Sequence, residues 1–500
     1  MDFEHILDGV EVLSRAGNAT ISGLDYDSRR VREGVVFVAI KGETTDGNRY
    51  IDAAIKAGAA AVVTDNPTES RRGELAWAVV AHGRRALARL SANFYKHPAE
   101  KLAITGVTGT NGKTTITFLV EGLLREAGRK NALIGTVEYH LPGKVLPSPH
   151  TTPEALELNQ LLYEALQLGA TEAVMEVSSH ALAQGRVFGI PYDVAIFSNL
   201  TRDHLDFHGT MESYFDAKRG MFEGCGTEPP RCAVINVEDE YGRKLLEFSR
   251  THSSVVYSYG VEQGDFHTEQ LEMSPSGNRF TLTTPSGPVL IESPLLGRVN
   301  VYNVIAACAA AFARGLTLEQ ISSGAAKMNR VPGRFEKVDA GQPFAVVVDY
   351  AHTDDALKNL TRLGREFVSR GSKHGRVITV FGCGGDRDRA KRPLMGEAAG
   401  RGSDFVVVTS DNPRSEDPLL IINDSLPGLQ RSGVRYTAEP DRRKAITLAL
   451  SEANASDIVL IAGKGHEKTQ TTREGVFPFD DFEVAREELA RLGYIAEVRQ

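Results

Sequence analysis

Lys113 is the first residue whose setting calls for chemistry. It follows glycines at 106, 109 and 112 and precedes Thr114 and Thr115, in the stretch LAITGVTGTNGKTTITFLVEGLLREAG. Leu102 to Val107 reads as a strand. Ile116, Leu119, Val120, Leu123 and Leu124 then recur at helical spacing, and Gly128 is a natural stop. A strand, a glycine loop and a helix in that order make an anion cradle. Backbone N–H groups and the positive helix end receive phosphates, the lysine reaches the terminal phosphates, and the threonine hydroxyl reaches Mg²⁺. The strict pattern has glycine where Val107 stands, so the loop is a variant. Thr108, Gly109, Thr110, Asn111, Gly112, Lys113, Thr114 and Thr115 are the candidate nucleotide contacts. Such loops serve switches, kinases, motors and ligases alike, so the loop names a ligand and not a reaction.

Four further stretches carry reactive groups at the ends of apolar runs. EAVMEVSSH ends a run on Glu176, and DVAIFSNLTRDHLDFHGTMESYFDAK places Asp203, His204, Asp206 and His208 just past the next one. A carboxylate and an imidazole at neighbouring strand ends suit a Mg²⁺ beside a phosphate, although Mg²⁺ prefers oxygen ligands. Lys218, a turn or two into the following helix, reads by itself as a surface lysine. DFVVVTSDNPRSEDP puts Arg414 after a proline-stiffened strand end. Guanidinium is the group of choice for gripping a planar anion with two prongs, although a solvated turn arginine has the same pattern. GCGGDRD carries Arg387 where a third glycine would complete a dinucleotide fingerprint, and Arg389, Lys391 and Arg392 follow. That basic run suits an acidic ligand rather than a dinucleotide.

These groups need rigid elements to bring them together. The chain has 500 residues, too many for one core, and three domains are expected. Residues 1 to about 100 mix short strands and helices, with GVVFVAIKG a strand and IDAAIKAGAAAVVTD a helix running into a strand. From KLAITGVTG onward strands and helices alternate, and after about residue 334 the runs FAVVVDY, RVITVFG, DFVVVTS and DIVLIAG each end in a polar or glycine loop. That texture implies parallel sheets covered on both faces, with ligands at the carboxyl ends of the strands. The expected fold is α/β in three parts: a small mixed domain over 1–100, a central P-loop sheet over 101–333 and a Rossmann-like domain over 334–500. Lys and Arg total 57 against 65 for Asp and Glu, a net charge of -8 that argues against general nucleic-acid binding. The four cysteines are scattered without a CxxC, the N-terminus lacks a signal-peptide pattern, and the most apolar helix-like run, VIAACAAAFA, is about half a membrane span. A cytoplasmic protein with reduced thiols is expected.

Taken in order, the motifs resemble the Mur ligases, ATP-dependent enzymes that add amino acids to the peptidoglycan precursor. The resemblance spans nearly the whole chain. It rests on TGTNGKTT, HTTPEALELNQLL, MEVSSHAL, NLTRDHLDFHGTMESYFDAK, GRVNVYNVIAA, VPGRFEKV, VDYAHTDDAL, GCGGDRDRAKRPLM, SDNPRSEDP and AGKGHEKTQ. It is strongest to the members that add the third amino acid. The resemblance implies that Ser28 and the Glu43, Thr44, Thr45 stretch hold the uridine end of a UDP-linked precursor. Thr151, Thr152, Ser178, Gln184 and Arg186 would hold its muramoyl-dipeptide. Lys113, Thr114, Glu176 and His204 would serve ATP and Mg²⁺, completed across the domain gap by Asn300, Asn303, Arg334 and Asp349. Lys218 matches the lysine that the family carries as a carbamate, which would ligate a second Mg²⁺ and overrides the surface reading. Arg387, Asp411, Asn412, Pro413, Arg414, Gly463 and Glu467 would hold diaminopimelate. His150 stands where some relatives have asparagine, which leaves its own contact open.

The reaction so implied phosphorylates the D-glutamyl γ-carboxylate of UDP-N-acetylmuramoyl-L-Ala-D-Glu with ATP. An amine of meso-diaminopimelate then attacks the acyl phosphate, without a side-chain nucleophile. The catalytic set would be Lys113, Glu176, His204 and Lys218. The partners would be small molecules only, with no nucleic acid or membrane insertion, and the protein would act as a monomer. The competing readings are a sibling ligase adding L-lysine, a folylpolyglutamate synthase, and a non-catalytic P-loop switch or nucleotide-sugar sensor. A switch would leave Arg387, DNPR and GKGHE unexplained.

Overall fold

The computed structural model describes residues 1–494 except 43–44, 70, 275–276, 329–330 and 372–374, and the side chains of 370 and 371 are also left undescribed. Among the described residues the chain builds three major sheets. The first has five strands in the order Val12–Ala16, Ala76–Val80, Ala61–Thr64, Val35–Ala39, Gly23–Asp25. Only its first pair is antiparallel. VVFVA is buried throughout because helices and loops cover both faces.

The central sheet has eight strands. Val255–Tyr259, Cys232–Asn236, Val194–Phe197, Ala103–Thr108, Glu172–Glu176 and Asn131–Ile134 run parallel in that spatial order. Glu138–Leu141 and Lys144–Pro147 extend the edge as an antiparallel hairpin. Its glycine turn favours that connection over a crossover helix. The phosphate-loop strand lies mid-sheet, between the strands that end at Glu176 and Phe197. Helix Arg298–Ala313 contains the VIAACAAAFA run, is buried from Asn303 through Ala311, and packs against helix Lys113–Glu126. Its apolarity is that of a core helix whose small side chains permit close approach.

A separate antiparallel sheet, His267–Ser274, Gly277–Thr283 and Val289–Ser293, interrupts the expected alternation before residue 330. Gly277–Thr283 buries every second residue, which is the period of a half-covered strand rather than of a helix. The third major sheet runs Glu336–Lys337, Ala345–Asp349, Ile458–Ala462, Val377–Cys383, Phe405–Ser410, Arg435–Ala438 and is parallel except at its first pair. Arg387, DNPR and GKGHE therefore follow three neighbouring strands.

Candidate active site

The phosphate loop is shaped by close contacts. Gly109 has φ +147°, and a Cβ there would stand 1.9 Å from Ser198 Oγ. Gly112 has φ +88°, and its Cβ would stand 2.5 Å from Asn303 Oδ1. Both positions exclude a side chain on conformation and on space. Thr110 N–H donates to Asn199 O at 2.9 Å, and Asn111 N–H donates to Asn199 Oδ1 at 3.0 Å. These two N–H groups face inward and fix the loop, leaving the cradle to the rest of it. Thr108 is fully buried at the strand's end and does not line the cavity beside the loop.

That cavity, of about 290 Å³, is lined by residues 110–115 together with Glu176, Asp203, His204, Asn300, Asn303, Arg334 and Asp349. Lys113 curls back and donates to Gly109 O at 3.0 Å and Thr110 O at 2.9 Å. Burial pulls its pKa down, opposed by Glu176 and Asp203. Glu176 is aimed by Thr136, whose N–H donates to Oε1 at 2.8 Å and whose hydroxyl donates to Oε2 at 2.9 Å. Arg334 reaches over the domain gap to Thr114 Oγ at 3.0 Å. Asp349 accepts from the N–H groups of Phe335 and Ala351, at 2.7 and 2.9 Å, and burial raises its pKa. Asn303 donates to Asn300 Oδ1 at 3.0 Å.

His204 has φ +51° and its N–H donates to Asp203 Oδ1 at 2.9 Å. Burial drops the imidazole pKa to about 3 against the pull of Asp203, so the ring is neutral at pH 7. Lys218 is 1% exposed, which corrects the surface reading. The helix Met211–Glu223 turns it inward, where it donates to Gly109 O at 2.8 Å. Burial, then the charge of Lys113, holds its pKa well below the lysine range. It lines neither of the two larger cavities.

A second cavity, of about 450 Å³, adjoins the first and shares Asp203, His204, Tyr350 and His352 with it. Arg387, Asp411, Asn412, Arg414, Gly463 and Glu467 line it, and Pro413 does not. Arg414 has φ +52° and donates to Gly385 O at 2.7 Å, so the guanidinium is folded onto the neighbouring loop. Asn412 donates to Glu467 Oε2 at 2.8 Å. Asp411 is buried, its Oδ1 lacks a hydrogen-bond partner, and burial raises its pKa. The basic run is not one acid-binding patch. Arg389 pairs with Asp424 at 3.0 Å, and Arg392 with Glu416 at 2.7 Å and Asp424 at 2.8 Å, because the facing helix Pro418–Ser432 and the loop before it supply carboxylates.

The remaining expected contacts are dispersed. Thr151 and Ser178 line the first cavity. Thr152 is buried, donating to Glu176 O at 2.8 Å and accepting from Ser178 N–H at 3.1 Å. Arg186 donates to Thr152 O at 3.1 Å and pairs with Glu154 at 3.0 Å. Gln184 ends the short helix Ser179–Ala183. Ser28 begins a 3₁₀ turn in the first sheet's domain, Thr45 is exposed, and Glu43 and Thr44 lie outside the described residues. Ser28 and Thr45 join neither of the two larger cavities.

Sequence reasoning passed over Lys464 and Thr136. Lys464 sits inside the quoted AGKGHE, wholly buried, with Nζ 3.2 Å from Asn412 Oδ1 and 3.0 Å from Glu467 Oε2. A lysine between two glycines at a strand end was the available signal. Thr136 carried none, since its contact with Glu176 comes from the pairing of distant strands.

Family models match along the chain: "Mur ligase family, catalytic domain" over residues 20–95, "Mur ligase middle domain" over 107–311, and "Mur ligase, glutamate ligase domain" over 333–465. The chain belongs to the Mur ligase family. It is 52% identical to the UDP-N-acetylmuramoyl-L-alanyl-D-glutamate--2,6-diaminopimelate ligase of Solibacter usitatus, covering 95% of this chain and 94% of that one. The protein of the same name from Geobacillus thermodenitrificans is 45% identical, with 94% and 95% covered. A solved structure of a ligase of that name superposes with a TM-score of 0.67 at 36% identity, covering 95% of each chain.

Proposed function

We infer that this chain is an ATP-dependent amino-acid ligase that joins meso-diaminopimelate to the D-glutamyl residue of UDP-N-acetylmuramoyl-L-Ala-D-Glu. The observation that carries the reading is the junction of the two cavities at Asp203, His204, Tyr350 and His352. A phosphate cradle and a pocket of guanidinium, carboxylate and amide groups thus open onto one wall. The γ-carboxylate attacks the γ-phosphorus of ATP, and ADP leaves. The amine nitrogen then attacks the acyl carbon, loses a proton and expels phosphate, leaving an amide. The chain's contribution is alignment and charge neutralisation, with Lys113 placed to follow the transferring phosphoryl group.

Residues 1–100 form the UDP-end domain in this reading, with Ser28 and the 43–45 stretch at the uridine. Residues 101–333 hold ATP, and residues 334–500 hold the amino acid. Thr151, Thr152, Ser178, Gln184 and Arg186 take the muramoyl-dipeptide, Thr152 by shaping the backbone beside Glu176. Arg414 leaves the Gly385 carbonyl for the distal carboxylate of diaminopimelate, and Asp411 Oδ1, which accepts no hydrogen bond and has Lys464 Nζ 3.7 Å away, suits its ammonium.

Among the described residues no three His, Cys, Asp or Glu side chains form a metal cage. Mg²⁺ keeps waters and takes phosphate oxygens together with one or two protein donors. Thr114, Glu176 and the neutral His204 would hold it, and when bound it neutralises phosphate charge. Lys218 would join them as a carbamate. Its depressed pKa supports this, since the free amine is the form that reacts with CO₂. Lys218→Ala should be nearly inactive and partly restored by a short carboxylic acid. An unmodified lysine in the mass spectrum of active enzyme would refute the carbamate.

The function is tested by an amino-acid panel with ATP and the UDP-dipeptide. Phosphate release should require both the dipeptide and meso-diaminopimelate. Release without either, or equal rates with L-lysine, would overturn the assignment.

A further inference from the structure

We propose that Lys391 is a positioning residue for ligation, acting through Asp203 on the His204 turn; this rests on the ligase reading above. Lys391 is the first residue of helix Lys391–Gly402, at the end where the helix dipole disfavours a cation. Its side chain crosses from the C-terminal sheet's domain to the central one and sets Nζ 2.5 Å from Asp203 Oδ1. The two side chains are 20% and 9% exposed, so the attraction is screened far less than that of a surface pair.

Asp203 does more than receive Lys391. Its Oδ1 also accepts the His204 N–H, and its Oδ2 lies 3.3 Å from His204 Nε2. His204 occupies the left-handed region, which is uncommon for a non-glycine residue although histidine tolerates it better than most. The carboxylate caps that backbone and orients the ring at once. Lys391 in turn fixes the carboxylate from the opposite domain.

The placement couples the two cavities. Asp203 and His204 line both, whereas Lys391 lines only the one with Arg387 and Arg414. The amine must reach an acyl carbon delivered from the other domain, so turnover depends on the mutual placement of the domains. Arg334 on Thr114, and Asp355 accepting from Asn111 Nδ2 at 2.8 Å, join the domains beside the phosphate loop. Lys391 on Asp203 joins them at the shared wall and carries opposite full charges.

The test uses the full chain with Lys391→Met, Lys391→Arg, Asp203→Asn and the double variant Lys391→Met/Asp203→Asn. Lys391→Met should lower kcat by about 100-fold, the loss expected of a misplacement near 1 Å, with KM for ATP within about twofold of wild type. Lys391→Arg should recover most of that loss. The double variant should be no slower than Asp203→Asn alone, since coupled residues are not additive. Multiplied losses in the double variant would overturn the proposal. So would a raised KM for the amino acid at unchanged kcat, which would make Lys391 a direct ligand contact, or unchanged turnover. A readout independent of turnover is the imidazole NMR signal of His204 in the unliganded chain. It should move in Lys391→Met, and an unmoved signal overturns the proposal even if wild type forms no amide. Absence of amide formation by wild type would instead refute the ligase reading.

Discussion

The two cavities, proposed to take the nucleotide and the amino acid, share a wall but hold their charges differently. Lys113, which lines the first cavity, and Lys218, which lines neither, rest on backbone carbonyls of the phosphate loop, and burial depresses both pKa values. The carboxylates of Glu176 and Asp203 only partly oppose that shift at Lys113, and a bound anion would add to them. At the second cavity Arg387 and Arg414 also rest on backbone carbonyls, those of Asp386 and Gly385, but the charges around them answer each other. Lys464 lies 3.0 Å from Glu467 and 3.7 Å from Asp411. Beneath them Arg442 and Asp481, both wholly buried, pair at 2.6 Å. Arg442 also donates to Ser410 O at 3.2 Å and Ala462 O at 3.0 Å, tying the ends of two strands that carry site loops. One cavity keeps electrostatic strain for its ligand, whereas the other is preorganised by its own pairs. Substitutions should therefore separate activity from stability in the first and reduce both in the second.

The largest effect is expected at Arg414. A site built around a polar group rejects an analogue lacking its partner by about 10⁴ or more. The kcat/KM ratio of meso-diaminopimelate over L-lysine should be that high in wild type and collapse in Arg414→Ala. Arg414→Lys should not restore it fully, because an ammonium lacks the planar fork. A ratio near one in wild type, or one that the substitution leaves alone, would reduce Arg414 to a turn residue.

Lys113→Ala should lower turnover by about 10³ or more, the scale of losing a principal charge contact to the transferring group. Its melting temperature should hold or rise, because a desolvated cation has been removed. Near-normal ligation by the folded variant would contradict the role assigned to Lys113. A large loss of stability would instead show that the two cavities do not differ as described.

Arg442→Met makes the opposite case. Removing one member of a buried pair leaves the other uncompensated, at a cost of about 3–5 kcal/mol. Chemical denaturation should show that loss, with a raised KM for the amino acid in whatever protein remains folded. Unchanged stability would break the contrast.

The smallest effect concerns pH. Burial opposes charge on His140, but hydrogen bonds to Glu121 and Glu138 outweigh it and raise the pKa to about 9. A raised folded-state pKa stabilises fully below the unfolded value near 6.5, and the contribution is lost as pH rises through 9. The share is no more than about 3–4 kcal/mol, at about 1.36 kcal/mol for each pH unit between 6.5 and 9. His140→Gln should flatten the decline in stability between pH 6.5 and 9, and an unaltered profile would exclude the pairing.

Much of the nucleotide site was legible because the phosphate loop is contiguous. Glycine spacing, a preceding strand and a following amphipathic helix all lie within local sequence. Glu176 and His204 were legible as polar residues after apolar strands, but those strand ends are not neighbours as expected, because the phosphate-loop strand runs between them. Lys218 was misread from local pattern alone, since a lysine on an amphipathic helix says nothing of what packs on it. Within the basic run after Gly384, the pairing of Arg389 and Arg392 was not legible for a related reason. Their partners Glu416 and Asp424 lie far along the chain, and only the packing of two helices brings them close.

The sequence by itself determined the alternating α/β plan, the phosphate cradle, and the strand ends where chemistry would sit. Those follow from periodicity, turn residues and backbone donors, which act over a few residues. Tertiary structure alone decided which charges are paired and which await a ligand. It folded Arg414 onto Gly385, buried Lys464 between Asn412 and Glu467, and joined Lys391 to Asp203. The physical reason is that burial and Coulomb attraction depend on distance in space, and sequence separation does not fix that distance.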